Sequence, residues 1–332
     1  MKSFAYASAS TVADAAAALA KGNAAILAGG TDLMTVLKAM ISPDTAPATL
    51  IDIKDIPNLA YIKEEGGMLK IGATTKLVDI FQSSVVNANY LALAQAAHAV
   101  GTPQLRNMGT IAGNICQHVR CWYYRYDKNL FPCLRKNPQG LCYALAGDNR
   151  YHSIFGAVSG CLAVNPSDTA AALMAFGASI VTNKKTWAIK DFFAVNVAPK
   201  GEGTTALAAD GIVTEIQVPT PAAGTKSAFM KFALRKAFDF PIVNCAAVIT
   251  QSGGTVSAAS IALNAVHNLP RKVTAAETAI VGKAIDATSA AAAGTAAVAG
   301  ATAMPASGSN PGNKYMIQIA STLVKRTILA CK

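Results

Sequence analysis

Leu27-Ala28-Gly29-Gly30-Thr31-Asp32-Leu33 is the stretch on which the reading of the fold turns. Ala25-Ile26-Leu27-Ala28 forms a short apolar run suited to a buried strand, and Leu33, Met34, Leu37 and Met40 recur at helical spacing. The order is strand, tight glycine turn, helix. Paired glycines let backbone approach a ligand closely, and the N–H groups at a helix N-terminus attract an anion such as a diphosphate. Taken alone, such a turn is more often structural than ligand-binding. Upstream, Thr11 and Asp14 give a helix-start signal, Val12, Ala15, Ala16 and Leu19 make one helical face, and Gly22 supplies the stop.

Working outward, Leu50–Ile53 and Leu69–Ala73 read as strands, and residues 75–85 and 90–100 as helices. A second glycine-bearing loop follows, Gly109-Thr110-Ile111-Ala112-Gly113-Asn114, preceded by Arg106-Asn107. It lacks the G-x-G-x-x-G spacing and the later acidic residue of the nicotinamide dinucleotide fingerprint. Residues 116–160 are rich in Arg, Tyr, Asn, Pro, Gly and Cys and have little periodicity, as expected of an insertion held by a cofactor rather than a core. Regular structure resumes at 170–177 and at Ile180-Val181. From about 226 the chain reads as an antiparallel sheet, with strands at 229–232, 246–250 and 255–263 and a Ser252-Gly253-Gly254 hairpin turn. Helices are expected at about 274–282 and 313–330, with an Ala-rich segment and Ser307–Gly312 linking them.

The chain has 332 residues, 52% of them hydrophobic, enough for two or three cores in a soluble globular protein. Its net charge of +11 sits on a chain only 14% charged, with no run of five basic residues, which points to anionic ligands and acidic partners rather than nucleic acid. The charge-free stretch from Ala287 to Pro305 is mainly Ala, Gly and Thr and too weakly apolar to span a membrane. Asp14 arrives before an apolar secretion-signal core is built, so no export signal is expected.

Seven cysteines stand at 116, 121, 133, 142, 161, 245 and 331. Five crowd between Cys116 and Cys161, which suits a metal site better than a disulfide framework. Cys121, Cys133, Cys142 and Cys161 are the candidate ligands, with Trp122, Tyr123, Tyr124, Tyr126 and Phe131 as shielding and Arg120, Arg125, Arg135 and Lys136 as counter-charge. No C-x2-C knuckle of the kind structural zinc prefers is present. Spacing alone leaves a cluster, zinc and no metal equally open. Cys116 reads as a buried small hydrophobe and His118 as a solvated loop histidine.

Together, Ala28–Leu33, Arg106-Asn107 with Thr110–Asn114, and Asn165-Pro166-Ser167-Asp168-Thr169 resemble the FAD-binding subunit of the xanthine dehydrogenase and carbon monoxide dehydrogenase family. Residues 231–248 and 263–271 are similar to its C-terminal flavoprotein domain. The inserted cysteine segment resembles the subgroup of 4-hydroxybenzoyl-CoA reductase and the bacterial aldehyde oxidoreductase whose flavin subunit carries a 4Fe-4S cluster. Arg120-Cys121, Pro132-Cys133, Gly140-Leu141-Cys142 and Cys161 follow the aldehyde oxidoreductase form.

The resemblance implies an α+β chain: a two-part FAD-binding domain of the vanillyl-alcohol-oxidase type (1–55, then 56–222 with the iron–sulfur insertion), followed by a C-terminal domain (223–332) of antiparallel sheet and helices. It assigns FAD contacts to Leu27, Ala28, Gly29, Gly30, Thr31, Asp32 and Leu33, and to Arg106, Thr110, Gly113, Asn114 and Ile212. Asp168 is expected at the ribityl or adenosine portion, as a helix N-cap, or as both, and Lys231 near the isoalloxazine. The four cysteines carry the 4Fe-4S cluster. Implied partners are a large molybdenum-cofactor subunit, a small subunit with two 2Fe-2S clusters, and a ferredoxin-like carrier. The setting implied is cytoplasmic, or periplasmic if a partner brings the export signal. A stand-alone FAD oxidase or dehydrogenase with a zinc loop, and an adaptor that has lost its flavin, are the competing readings.

Overall fold

In the computed structural model, which describes residues 1–332 except 138, 194–204, 307 and 309, the chain builds three sheets in succession. The first is a small parallel unit: β1 (Ala5–Ser8), α1 (Val12–Ala20), β2 (Ala24–Leu27), α2 (Leu33–Lys38) and β3 (Thr49–Asp52). β3 is central, pairing in parallel with β1 and β2. Parallel neighbours cannot be joined by a tight hairpin, so helices must cross between them. Thr11 caps α1 by accepting the Asp14 N–H at 3.1 Å, and Ala15 and Leu19 pack against Ile51 and Ile53. Met40 lies beyond the end of α2.

The second sheet follows β4 (Ile62–Glu65), β5 (Met68–Gly72), α3 (Leu77–Gln82), α4 (Ser84–Asn89), α5 (Leu91–His98), α6 (Pro103–Met108), α7 (Ile111–Ile115), α8 (Asp168–Phe176), β6 (Ser179–Thr182), β7 (Thr186–Ala188), α9 (Ile189–Phe192) and β8 (Val213–Pro219). Its order is β4-β5-β8-β6-β7, antiparallel throughout. The glycine loop around residue 110 is thus no extended loop but the junction of two short helices. Every residue of α8 is buried. A helix without a polar face belongs at the centre of a fold, and α8 packs against α5 on one side and the third sheet on the other.

The third sheet, order β12-β11-β10-β9, is antiparallel: β9 (Thr225–Phe232), β10 (Val243–Ser252), β11 (Thr255–Asn264) and β12 (Arg271–Lys272). Helices α10 (Thr274–Ile280), α11 (Ala287–Ala297) and α12 (Lys314–Leu329) cover it, their Ile280, Ala290, Ala293, Leu323 and Val324 meeting Ile249, Ile261 and Leu263. The Ala-rich segment expected as a linker is therefore helix α11. Asp286 starts it with a capping box, accepting the Ser289 N–H at 2.8 Å while the Ser289 hydroxyl accepts the Asp286 N–H at 3.1 Å. Of the linker read at 307–312, Ser307 and Ser309 lie outside the described residues.

Between α7 and α8 the cysteine segment has two brief helical turns among the described residues. An isolated bridge pairs Arg120 with Val164, and Val119, Tyr124, Cys133, Cys161 and Ala163 pack on Val36 and Ile41. Ring contacts join Tyr123, Tyr126, Phe131 and Tyr143. Among the described residues, no helix is long and apolar enough to cross a membrane.

Candidate functional site

One cleft of about 330 Å³ collects most of the residues expected to hold the cofactor. Its wall includes Ala28, Gly29, Gly30, Thr31, Asp32 and Leu33 after β2, then Thr110, Gly113 and Asn114 of α7 and its cap, Asp168 at the head of α8, Ile212 before β8, and Lys231 on β9. The first turns of α2, α7 and α8 thus meet one space, an arrangement that favours negative charge. Leu27 and Arg106 are not brought into it. Leu27 belongs to β2, paired with Asp52. Arg106 donates from Nη1 to the carbonyls of Val100 and Gly101, at 3.0 and 2.9 Å, and so braces two wall residues from behind.

The two glycines of the first turn have different reasons. A Cβ on Gly29 would stand 2.1 Å from the Met108 carbonyl oxygen, so this position lets the first glycine turn press against the second. Gly30 has φ of +70°, the left-handed region that L side chains adopt at a cost. In the second turn the Thr110 hydroxyl accepts the Gly113 N–H at 3.2 Å. The Asn114 Oδ1 accepts from the Ser167 and Thr169 hydroxyls, each at 2.6 Å, which ties α7 to the head of α8.

Asp32 would be an odd choice beside a diphosphate if its charge were free. It is not: Arg125 grips both carboxylate oxygens, at 2.8 and 3.0 Å, and the His118 N–H donates to Oδ2 at 2.9 Å. Burial alone would raise the Asp32 pKa, but the charge and hydrogen bonds of Arg125, with His118 and Arg120, carry it below the usual carboxylate range. Arg125 also donates to the carbonyls of Val119 and His118. The carboxylate is thus the rivet between the first glycine turn and the cysteine segment.

Asp168 is buried and accepts from Lys231 Nζ and from Asn244 Nδ2, each at 2.7 Å. Burial raises its pKa and wins over the opposing pull of Lys231. The helix N-cap is Ser167, whose hydroxyl accepts the Ala170 N–H at 3.1 Å, and Asp168 occupies the first turn instead.

One further expectation is corrected. His118 is no solvated loop residue: it lines the cleft, Nδ1 lies 2.8 Å from the Tyr124 hydroxyl, and burial lowers its pKa to about 4 despite the nearby Asp32. Cys116 packs against the hydrophobic core as a small apolar residue would, though it is half-buried and also lines the cleft, and burial pushes its thiol up to about 12. Arg120, expected as counter-charge to the cysteines, also lines the cleft, and Phe240 was not anticipated there; the guanidinium lies 3.4 Å from the ring centroid. The aromatic-rich stretch 238–240 was a usable signal for this wall.

Cys121, Cys133, Cys142 and Cys161 line a second, small cavity, together with Tyr123, Tyr124, Arg135 and Tyr143. Burial pushes Cys121 up to about 12 and raises Cys133 and Cys142. Yet among the described residues no group of three or more His, Cys, Asp or Glu is placed to hold a metal ion. A tetrahedral Zn–S4 site needs all four sulfurs about 2.3 Å from one point.

Residues 2–221 match the FAD binding domain in molybdopterin dehydrogenase, and residues 228–331 the CO dehydrogenase flavoprotein C-terminal domain. The chain belongs to this family of FAD-binding subunits. It is 32% identical over 286 residues to the aldehyde oxidoreductase FAD-binding subunit PaoB of Escherichia coli, covering 83% of this chain and 86% of that protein. It is 30% identical over 329 residues to the carbon monoxide dehydrogenase medium chain of Hydrogenophaga pseudoflava, covering 98% and 96%. A solved carbon monoxide dehydrogenase structure from that organism superposes with a TM-score of 0.76 at 30% identity, covering 99% of this chain and 97% of its counterpart. The chain is thus an FAD-binding subunit of the kind found in multi-subunit molybdenum hydroxylases, the medium subunit of the carbon monoxide dehydrogenase type.

Proposed function

We propose that this chain is the electron-relay subunit of a molybdenum-containing hydroxylase or dehydrogenase complex. It holds FAD between its two glycine turns and a 4Fe-4S cluster on Cys121, Cys133, Cys142 and Cys161, as in the aldehyde oxidoreductase subgroup. The observation that carries this reading is the second cavity, which Cys121, Cys133, Cys142 and Cys161 line together although they are spread over forty positions of the chain. Iron–sulfur clusters are held by cysteine thiolates, usually four.

When bound, FAD supplies the interchange between one-electron and two-electron transfer. The chain's own part is to seat that group. Three helix N-termini offer partial positive charge to the diphosphate, the Asp168–Lys231 pair sets the polarity at the head of α8, and Arg125 cancels the charge of Asp32. The remaining assignments are a flavin domain in two parts (1–55 and 56–222) and a C-terminal domain (223–332). The partners are a large molybdenum-cofactor subunit, a small subunit with two 2Fe-2S clusters and a ferredoxin-like carrier, in the cytoplasm unless a partner brings an export signal.

Anaerobic purification of the chain with its partners, followed by FAD, iron, sulfide and zinc determination and a reduced-state EPR spectrum, tests this. One FAD with about four irons and four sulfides, the iron lost in Cys133→Ser, is the expected result. Zinc without sulfide would overturn the cluster, and substrate turnover by the isolated chain would overturn the relay role.

A further inference from the structure

The sulfur cavity contains a buried cation in direct contact with one of its sulfurs. Arg135 is 2% exposed, and its Nε donates to Cys161 Sγ at 3.0 Å. Its Nη2 donates to Asn268 Oδ1 at 2.8 Å. Asn268 in turn donates to the carbonyls of Cys161 and Ala163, at 2.9 and 2.6 Å. One asparagine of the C-terminal domain therefore fixes both the guanidinium and the backbone of the cysteine it touches.

A guanidinium is costly to bury without compensating negative charge, and a bound cluster would bring that charge to Cys161, within hydrogen-bond reach of Arg135. Hydrogen bonds to cluster sulfurs and nearby net charge are among the protein's means of setting a cluster's reduction potential. A cation donating to a ligand sulfur stabilises the more negative, reduced state more than the oxidised one.

We propose that Arg135, held by Asn268, tunes the reduction potential of the cluster upward through its hydrogen bond to Cys161. This rests on the cluster assignment above. Arg135 is a positioning and electrostatic residue toward the metal group, not a ligand.

The test is a redox titration of the anaerobically purified complex, followed by EPR, for wild type, Arg135→Gln and Arg135→Lys, with iron and sulfide measured on each. With the cluster retained, Arg135→Gln is expected to shift the equilibrium at least tenfold toward the oxidised state, a fall of about 59 mV for a one-electron couple. Arg135→Lys keeps the charge but loses the planar fork, and should shift less in the same direction. A cavity that was merely loosened would admit water, which favours the more charged state and moves the potential up. An unchanged or raised potential with iron and sulfide intact therefore overturns the proposal. Should the Gln variant fail to assemble, the Lys variant decides by the same sign. Wild-type protein lacking iron and sulfide fails at the earlier step and removes the cluster itself.

Discussion

Asp32 shows how a residue type that looks wrong for its place becomes right once its neighbours are seen. An acidic side chain in an anion-binding turn makes sense because Arg125 closes on both of its oxygens and links the turn to residues 118–125. In Asp32→Ala, amide hydrogen exchange across 118–125 should quicken while exchange in α12 stays unchanged; equal protection in both proteins would show the rivet to be idle. Gly29 is a matter of distance. Its missing Cβ leaves room for the Met108 carbonyl, so Gly29→Ala must push the two glycine turns apart. Flavin affinity is expected to fall at least tenfold, about 1.4 kcal/mol, read from FAD retained through dialysis. The buried Asp168–Lys231 pair makes the third case. Lys231→Met leaves a carboxylate buried without its cation, and a loss of about 3–5 kcal/mol in denaturant unfolding is expected; no loss would mean that Asp168 is already neutral.

At the level of elements, α1 and the β10–β11 hairpin were legible because each carries its own local signal: Thr11 with Asp14 in the one, Ser252-Gly253-Gly254 between apolar runs in the other. The first glycine turn was legible for the same reason. Helix α11 was not, since its run of alanines shows no apolar stripe, although Asp286 and Ser289 spell the capping box that starts it. Asp286→Ala should therefore lower stability, measured as a lower urea midpoint with unchanged slope. The edge strands β4 and β7 are short and lie largely exposed, with little pattern to read. Long-range partnerships such as Asn114 with Ser167 or Asp32 with Arg125 leave no trace in periodicity at all, because they join residues far apart along the chain. The cleft between the two glycine turns was thus legible through its glycines, and its walls at His118, Arg120 and Phe240 were not.

Across the whole molecule, buried histidines tie stability to pH. Burial lowers the pKa of His118 and of His267 to about 4, against an ordinary value near 6.5. Below that ordinary value the unfolded chain takes up protons that the folded chain refuses. Stability is then fully present above about pH 6.5 and drains away as pH falls toward 4. Thermal melts at stepped pH check the sign, and a protein equally stable at pH 7 and pH 4.5 would contradict it. The sulfur cavity, finally, is finished by residues made late. Asn268 clasps Cys161 and Ala163, and Asn313 donates to the carbonyls of His152 and Ser153. A chain grown only as far as Cys161 owns all four thiols of that cavity but none of these clasps, so the frame around the sulfurs closes only after the C-terminal residues have been made and folded.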